Sequence, residues 1–382
     1  TAAASSRMPT MMVHPRAGGD HAGGRARSPG RLDRGDGRRP VLEDAKAAFG
    51  LLCWLAAFAL VPLGVSALLL RGGRPNGGGP AMAAGLVVEG PDGRVRGAVD
   101  LSPYEADEPG RMWIASDLTA LQRRGPLPPE HVLGIGRASL TLAGATQRRP
   151  VARALDVGVG CGIQTLHLLA HADHVTATDL SERALAFTRF NLLLNADVLG
   201  LDRERLEDRV RLAAGDLLAP VAGERFDLVV SNPPFVITPR TPQENEAQRY
   251  TYRDGGREGD RIVAELIAAL PDVLAEGGTA QLLANWEIPA GDTADADTAP
   301  WDARPRSWVA PGMQAWLLQR DRQDPAGYAE TWLQDSSLEL DPPAYEAAYR
   351  GYLDDFAARG VAGVGFGHVW LRRPAADGSQ GR

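Results

Sequence analysis

Cysteine is nearly absent: Cys53 and Cys161 are the only two among 382 residues. Two thiols in such different surroundings build neither a disulfide scaffold nor a zinc site. A reducing cytoplasm is therefore the expected compartment, and no metal is expected. A net basic charge is lacking too. The formal charge is −7, and residues 1–40 hold eight Arg against three Asp, which leaves −12 on the remainder. An acidic body argues against sequence-independent clamping of long nucleic acid, while permitting a local basic patch.

Residues 1–40 have hardly any large apolar side chains. Sequence rich in Gly, Arg, Pro, Ser and Ala cannot bury enough surface to fold, so this stretch reads as a disordered tail. The functional alternative is an Arg/Gly arm that touches RNA. From Ala47 to Leu70 it is charge that is missing, over a length sufficient to cross a bilayer. A signal peptide fits poorly, because about forty residues precede the run and Glu43 and Asp44 interrupt its basic flank. Pro62 and Gly64 divide the run into Phe49–Leu60 and Val65–Leu70. Two short buried helices explain it as well as one membrane helix does. A β-hairpin is expected next, with strands Gly85–Glu89 and Arg94–Asp100 across Gly90-Pro91-Asp92-Gly93. Residues 41–124 thus read as a small winged-helix-like domain, and Gly125-Pro126-Leu127-Pro128-Pro129 as the hinge into a main domain spanning 125–373.

What the chain does possess is centred on Ala154-Leu155-Asp156-Val157-Gly158-Val159-Gly160-Cys161-Gly162. An apolar run, an acid and three alternate glycines, followed by Ile163–Leu169, read as a buried parallel strand turning sharply into a helix. The glycines would let the backbone approach a ligand closely. A dinucleotide fingerprint is excluded by spacing, since Ile163 stands where the third glycine belongs and the glycine is at 162. Downstream, strands are expected at His174–Thr178, Val210–Ala213, Phe226–Val230 and Thr279–Leu283, with helices at Glu182–Asn195 and Asp260–Leu274. This alternation implies an α/β fold with a doubly wound parallel sheet. Ala290–Pro305 reads as a surface loop, and Ala315–Gln319, Tyr345–Arg359 and Val364–Leu371 as strand, helix and strand closing the sheet. Residues 374–382 read as a disordered tail.

Three acids fall at expected strand ends. Asp156 precedes the glycines, Asp179 ends its strand nineteen residues past Gly160, and Asp216 follows Ala214-Gly215. A carboxylate at such an end can take both hydroxyls of a ribose, or accept from an adenine amino group. The most specific signal is Ser231-Asn232-Pro233-Pro234-Phe235 at the end of Phe226–Val230. Amide and adenine nitrogens are poor nucleophiles, because their lone pair is delocalised. Asn232 offers a side-chain carbonyl, Pro233 a backbone carbonyl, the two prolines a fixed loop and Phe235 a stacking face. His167, His171 and His174 are spaced to share one helical face, but no carboxylate or thiol lies at ligand spacing, so they read as unmetallated. Thr251–Gly256 reads either as a lid, with Arg253 recognising a phosphate or carboxylate, or as an ordinary turn.

Residues 151–285 resemble class I S-adenosylmethionine-dependent N-methyltransferases of the small-methyltransferase-domain, HemK-like group. The likeness rests on the glycine motif, Asn232–Pro239 and Gly255-Gly256-Arg257-Glu258-Gly259. It implies a Rossmann-like seven-stranded sheet in which Asp156, Gly158, Gly160 and Gly162 frame the donor S-adenosylmethionine, Asp179 takes the ribose and Asp216 the adenine. Asn232, Pro233, Pro234 and Phe235 would hold the acceptor nitrogen. Val132–Thr146 would close over the methionine end, with Thr141 among its contacts. The implied acceptor is a protein glutamine or a nucleic-acid base. The extra N-terminal part resembles that of actinobacterial methyltransferases, and no residue specifies whether a small activating subunit is required. A donor-binding interaction protein without turnover and a membrane-anchored methyltransferase are the rival readings.

Overall fold

The computed structural model describes residues 86–89, 95–123, 127–240, 253–290, 300–336 and 338–375. The expectations for the tail 1–40, the run Ala47–Leu70, the turn Gly90–Gly93, the first residues of the hinge, Thr251 and Tyr252, most of Ala290–Pro305, and residues 376–382 lie outside the described residues. No helix among the described residues is long and apolar enough to cross a membrane.

Seven strands form one sheet in the order β10-β11-β9-β8-β5-β6-β7. They are β5 Val151–Val157, β6 Ala172–Asp179, β7 Val210–Ala214, β8 Phe226–Ser231, β9 Leu274–Pro289, β10 Gln314–Gln323 and β11 Val361–Arg372. The strands β7-β6-β5-β8-β9 run parallel, and β11 is antiparallel to both β9 and β10. This is the expected doubly wound, Rossmann-like sheet. Strand order reverses at β5, with β6 on one side and β8 on the other, and ligands of open α/β sheets collect outside the strand ends at such a point.

Alternation along β5 and β8 sends residues to two separate cores. Ala154, Val175, Leu228 and Val230 face a cluster that includes Leu166 and Leu168 of α2 (Ile163–Leu168). Leu155, Val157, Val229 and Ala280 face Ile262, Val263, Leu266 and Ile267 of α4 (Arg261–Ala269). Burial on both faces is why these strands are apolar throughout rather than at alternate positions.

Several boundaries differ from expectation. The helix expected to run to Leu274 stops at Ala269. Pro271 opens a tight turn over Leu270–Asp272, and Leu274 begins a strand sixteen residues long in place of the five expected. The expected second hairpin strand is split, with β1 (Val87–Glu89) pairing with β2 (Val95–Gly97) while Val99 already belongs to β3 (Val99–Glu105). Its partner β4 (Arg111–Asp117) was not foreseen. Main-chain amides of β4 are held by α3 (Glu182–Leu194) and the residue after it: Ala115 N donates to Asn191 Oδ1 and Trp113 N to Asn195 Oδ1, both at 2.8 Å. Met112 and Ile114 lie in the same core as Ala154 and Val175, so one core runs across the division drawn at 124/125.

A second unforeseen element is α5 (Pro325–Asp335), which with α6 (Pro342–Ala358) forms a two-helix insertion between β10 and β11. Tyr328, Leu333, Tyr352 and Phe356 pack with Val361 and Val364 of β11. Gly365 of β11 makes room for the fully buried Trp286 of β9, whose indole an added Cβ would strike, and a Cβ at Gly367 would meet both that indole and the Leu318 carbonyl of β10.

Candidate active site

The chain leaves β5 at Val157 and turns through Gly158, Gly160 and Gly162, with φ of 77°, 57° and 96°. L side chains rarely adopt this region, which is why alternate glycines occur here. The loop is pinned to β6: Gly158 N and Val159 N both donate to Thr178 O, and Gly160 N donates to Asp179 Oδ2 at 3.0 Å. A cavity of about 610 Å³ opens above it, at the reversal point of the sheet. Gly158, Gly160, Asp179, Asp216, Asn232 and Pro234 contribute to its lining, from the ends of four neighbouring strands.

Asp179 takes one amide on each oxygen, Gly160 on Oδ2 and Ser181 on Oδ1, and keeps lone pairs for a ligand diol. Burial raises its pKa in spite of those amides. Asp156 lies beneath the loop, fully buried. Its Oδ2 accepts from the Thr165 hydroxyl at 2.7 Å, and Oδ1 has no partner among the described residues. Burial pushes its pKa up to about 7, so Asp156 is part protonated near neutrality. Asp216 lines the cavity, where Arg257 Nη2 meets its Oδ2 at 2.5 Å. Gly162 sits outside the lining at the start of α2, its Cα facing Thr188. Thr141 is on α1 (Arg137–Ala145), and its hydroxyl donates to the Arg137 carbonyl instead of reaching the cavity. Ala138 and Ser139, earlier on the same helix, line the cavity instead.

β8 lies beside β5, with Val157 opposite Ser231, so Asn232 emerges next to Gly158. The Asn232 Oδ1 atom is buried and has no hydrogen-bond partner among the described residues. Pro233 and Pro234 line the cavity with it, and the Pro233 carbonyl accepts from Phe235 N at 2.8 Å, closing a tight turn. Phe235 does not line the cavity. Its ring packs on the core behind the loop and its backbone bridges to Asp254, which corrects the expectation of a stacking face there. The loop is fixed from behind. Ile237 N donates to the Tyr328 hydroxyl at 2.9 Å, and Asn285 Nδ2 donates to the same oxygen at 3.3 Å.

Several cavity residues lie outside the motifs. His131 is buried at the rim, 3.9 Å from Asp117, and burial keeps its imidazole below its ordinary pKa. Asp117 anchors this rim by accepting from Val132 N at 2.9 Å and from Arg183 Nε at 3.0 Å. Burial alone would raise its pKa, yet Arg183 and the Val132 amide outweigh that and lower it. Leu217 lines the cavity with φ at 46°, a strained value for a side chain. A lone acid, a lone His and an out-of-motif Leu give no local signal for any of this. Arg253 donates to Trp332 O and Asp335 Oδ2 on α5, so it ties its own segment to the insertion. His167 Nε2 lies 2.6 Å from the Tyr104 hydroxyl, and His171 Nδ1 3.1 Å from Arg149 O. His174 is on β6, so α2, ending at Leu168, does not bring the three together. Burial pushes the Cys161 thiol up to about 12, which excludes it as a nucleophile.

These residues suit S-adenosylmethionine: a glycine cradle, a diol-binding carboxylate and an orphaned carbonyl oxygen face one cavity. Residues 134–248 match the family model described as a methyltransferase small domain. Among curated proteins, the chain is 36% identical over 163 residues to a release factor glutamine methyltransferase of Deinococcus radiodurans, covering 40% of this chain and 53% of that one. It is 30% identical to a ribosomal protein uL3 glutamine methyltransferase of Bradyrhizobium diazoefficiens, over 40% of this chain and 46% of the other. It is 32% identical to a ribosomal RNA small subunit methyltransferase C of Alcanivorax borkumensis, over 36% and 33% respectively. The chain spans about half the length of the first curated relatives it matches.

Proposed function

We propose that the chain is an S-adenosylmethionine-dependent N-methyltransferase acting on a planar amide or exocyclic amino nitrogen. The observation that carries this is the buried Asn232 Oδ1, unpartnered beside the glycine cradle. A buried acceptor left unmade costs about 1–3 kcal/mol, so it marks a position where a ligand N–H belongs. S-adenosylmethionine, when bound, supplies a methyl group on a positively charged sulfur. The chain supplies orientation. Asn232 Oδ1 and the Pro233 carbonyl region accept the acceptor's N–H groups, and the prolines keep the loop from relaxing. Asp179 takes the ribose hydroxyls and Asp216 the adenine edge. No strong base is required, because a methylated amide nitrogen sheds its proton readily once it has become cationic.

Protein glutamine is the leading acceptor. Residues 324–360, which pack behind the acceptor loop, carry eight Asp or Glu against two Arg. Such a surface repels a phosphate backbone and accommodates a basic polypeptide. A nucleobase amino group is the second reading, supported by the likeness to the ribosomal RNA methyltransferase. Radiolabelled methyl transfer on cell extract, followed by separate nuclease and protease digestion, distinguishes the two. Donor titration beside that assay separates an enzyme from an interaction protein that binds donor without turnover. A cytoplasmic location belongs to the same proposal, and fractionation of the full chain tests it.

A further inference from the structure

A second cavity, of about 280 Å³, opens on the sheet at β9, β11 and β10. Register places two rows of side chains across these three strands. Gln281, Trp370 and Trp316 form one row, and Thr279, Arg372 and Gln314 the other. Residues two apart on a strand share a face, so all six stand on one side of the sheet. Phe366 and Asn285, further along that face, are covered by Tyr328 of the helical insertion. The six line the cavity together with Gln147, which follows α1.

Their chemistry is mixed in a particular way. Trp316 is 58% exposed and meets Trp370 edge to face, at 5.6 Å and 77°. Gln281 is 1% exposed; its Oε1 accepts from Gln147 N at 2.8 Å, but its buried Nε2 has no partner among the described residues. Thr279 Oγ1 is likewise buried and unpartnered. Arg372 forms no ion pair among the described residues. An exposed indole wall, a stranded amide donor, a stranded hydroxyl and an unpaired guanidinium call for a flat ring with acceptors on its edge and an anion attached. Packing alone would have selected apolar residues at 279 and 281, as it did at Ala280 and Leu282 on the opposite face.

We infer that this cavity binds a nucleotide unit, with the base against Trp316, its edge on Gln281 and Thr279, and its phosphate on Arg372. The site is separate from the donor cavity, although one segment borders both: Ala138 and Ser139 of α1 line the first, and Gln147, just past α1, lines the second. It does not depend on the methyl-transfer reading. A single nucleotide fills it, whether free or at the end of an RNA strand.

The test is calorimetric titration of the full chain, saturated with S-adenosylhomocysteine to block the donor cavity. The probes are guanosine 5′-monophosphate, guanosine and a short single-stranded oligoribonucleotide. Guanosine monophosphate or the oligoribonucleotide should bind, and whichever binds more tightly identifies the source. Trp316→Ala should weaken binding about tenfold, as loss of one base–aromatic stack does. Arg372→Gln should weaken the monophosphate about tenfold and leave guanosine unchanged, a split that a merely structural role would not produce. Gln281→Leu should weaken both. Donor affinity should be the same in all three variants. The proposal fails if neither phosphorylated probe binds, if Trp316→Ala and Arg372→Gln bind as the parent does, or if S-adenosylhomocysteine competes.

Discussion

The two halves of the central sheet build their sites by different means. Around β5, β6, β7 and β8, cavity-lining groups lie at or within two residues of strand ends: Gly158, Asp179, Asp216 and Asn232. Around β9, β10 and β11, groups that serve the acceptor loop come from far along the chain, as when Tyr328 holds Ile237 and Arg253 reaches Asp335. At the 610 Å³ cavity, the first half supplies lining residues and the second fixes the loop behind them. Substitutions should therefore split in their effect on the donor cavity, with donor binding and turnover affected on one side and stability on the other.

The sharpest break in that division is expected from Asn232→Ala. It should lower turnover on the order of 10²–10³-fold, as loss of one preorganised hydrogen-bonding group does, with donor affinity held within about threefold. Kinetics beside donor titration would check it, and normal turnover would remove Asn232 from its role. Asp179→Ala should instead weaken donor binding about tenfold to a hundredfold, corresponding to one charge-assisted hydrogen-bond pair. In the other half, Gly365→Ala forces a Cβ to 2.4 Å from Trp286. Overpacking of this kind should cost about 1–3 kcal/mol in denaturant unfolding while donor affinity stays unchanged. Altered donor affinity in that variant would mean that the halves are coupled.

Asp156 sharpens the comparison through pH. Its folded pKa of about 7 lies above the unfolded value of 3.8, so the folded state binds more protons between them. Its contribution to stability is fully present below about pH 4 and is lost as pH rises through 7. Unfolding measured from pH 4 to 8 should show a shallower decline for Asp156→Asn than for the parent. The smallest effect is expected from Arg257→Ala. This part-exposed ion pair with Asp216 should contribute under about 1 kcal/mol, and its loss should appear mainly as faster donor release in stopped-flow measurements.

The sequence made the first half legible because its signals are local. A glycine with positive φ, an acid after an apolar run and a double proline each report their own backbone. It did not reveal Thr141 as a helix-surface residue, since Thr hydroxyls often bond a carbonyl one turn back within a helix. Nor did it expose β4 or α5. The run Met112-Trp113-Ile114-Ala115 lacks polar alternation because both of its sides are covered, and α5 follows a favourable Asp324-Pro325 start with Gly327, whose low helix propensity blurs the pattern. Asp324 caps that helix by accepting from Gly327 N at 2.7 Å. Phe235 was misjudged for a related reason: an aromatic beside a ligand loop can face either inward or back, and only the bridge to Asp254 decides which.

The indole of Trp286 gives this fold a mutational dependency. Two positions in another strand have surrendered their side chains to seat it, so none of the three can change alone without loss. In any chain descended from the same ancestor, a small residue at 286 would free 365 to carry bulk, whereas 367 would stay glycine because a Cβ there also meets the Leu318 carbonyl. Retention of the tryptophan would keep both glycines in place, whatever reaction the cavity came to serve.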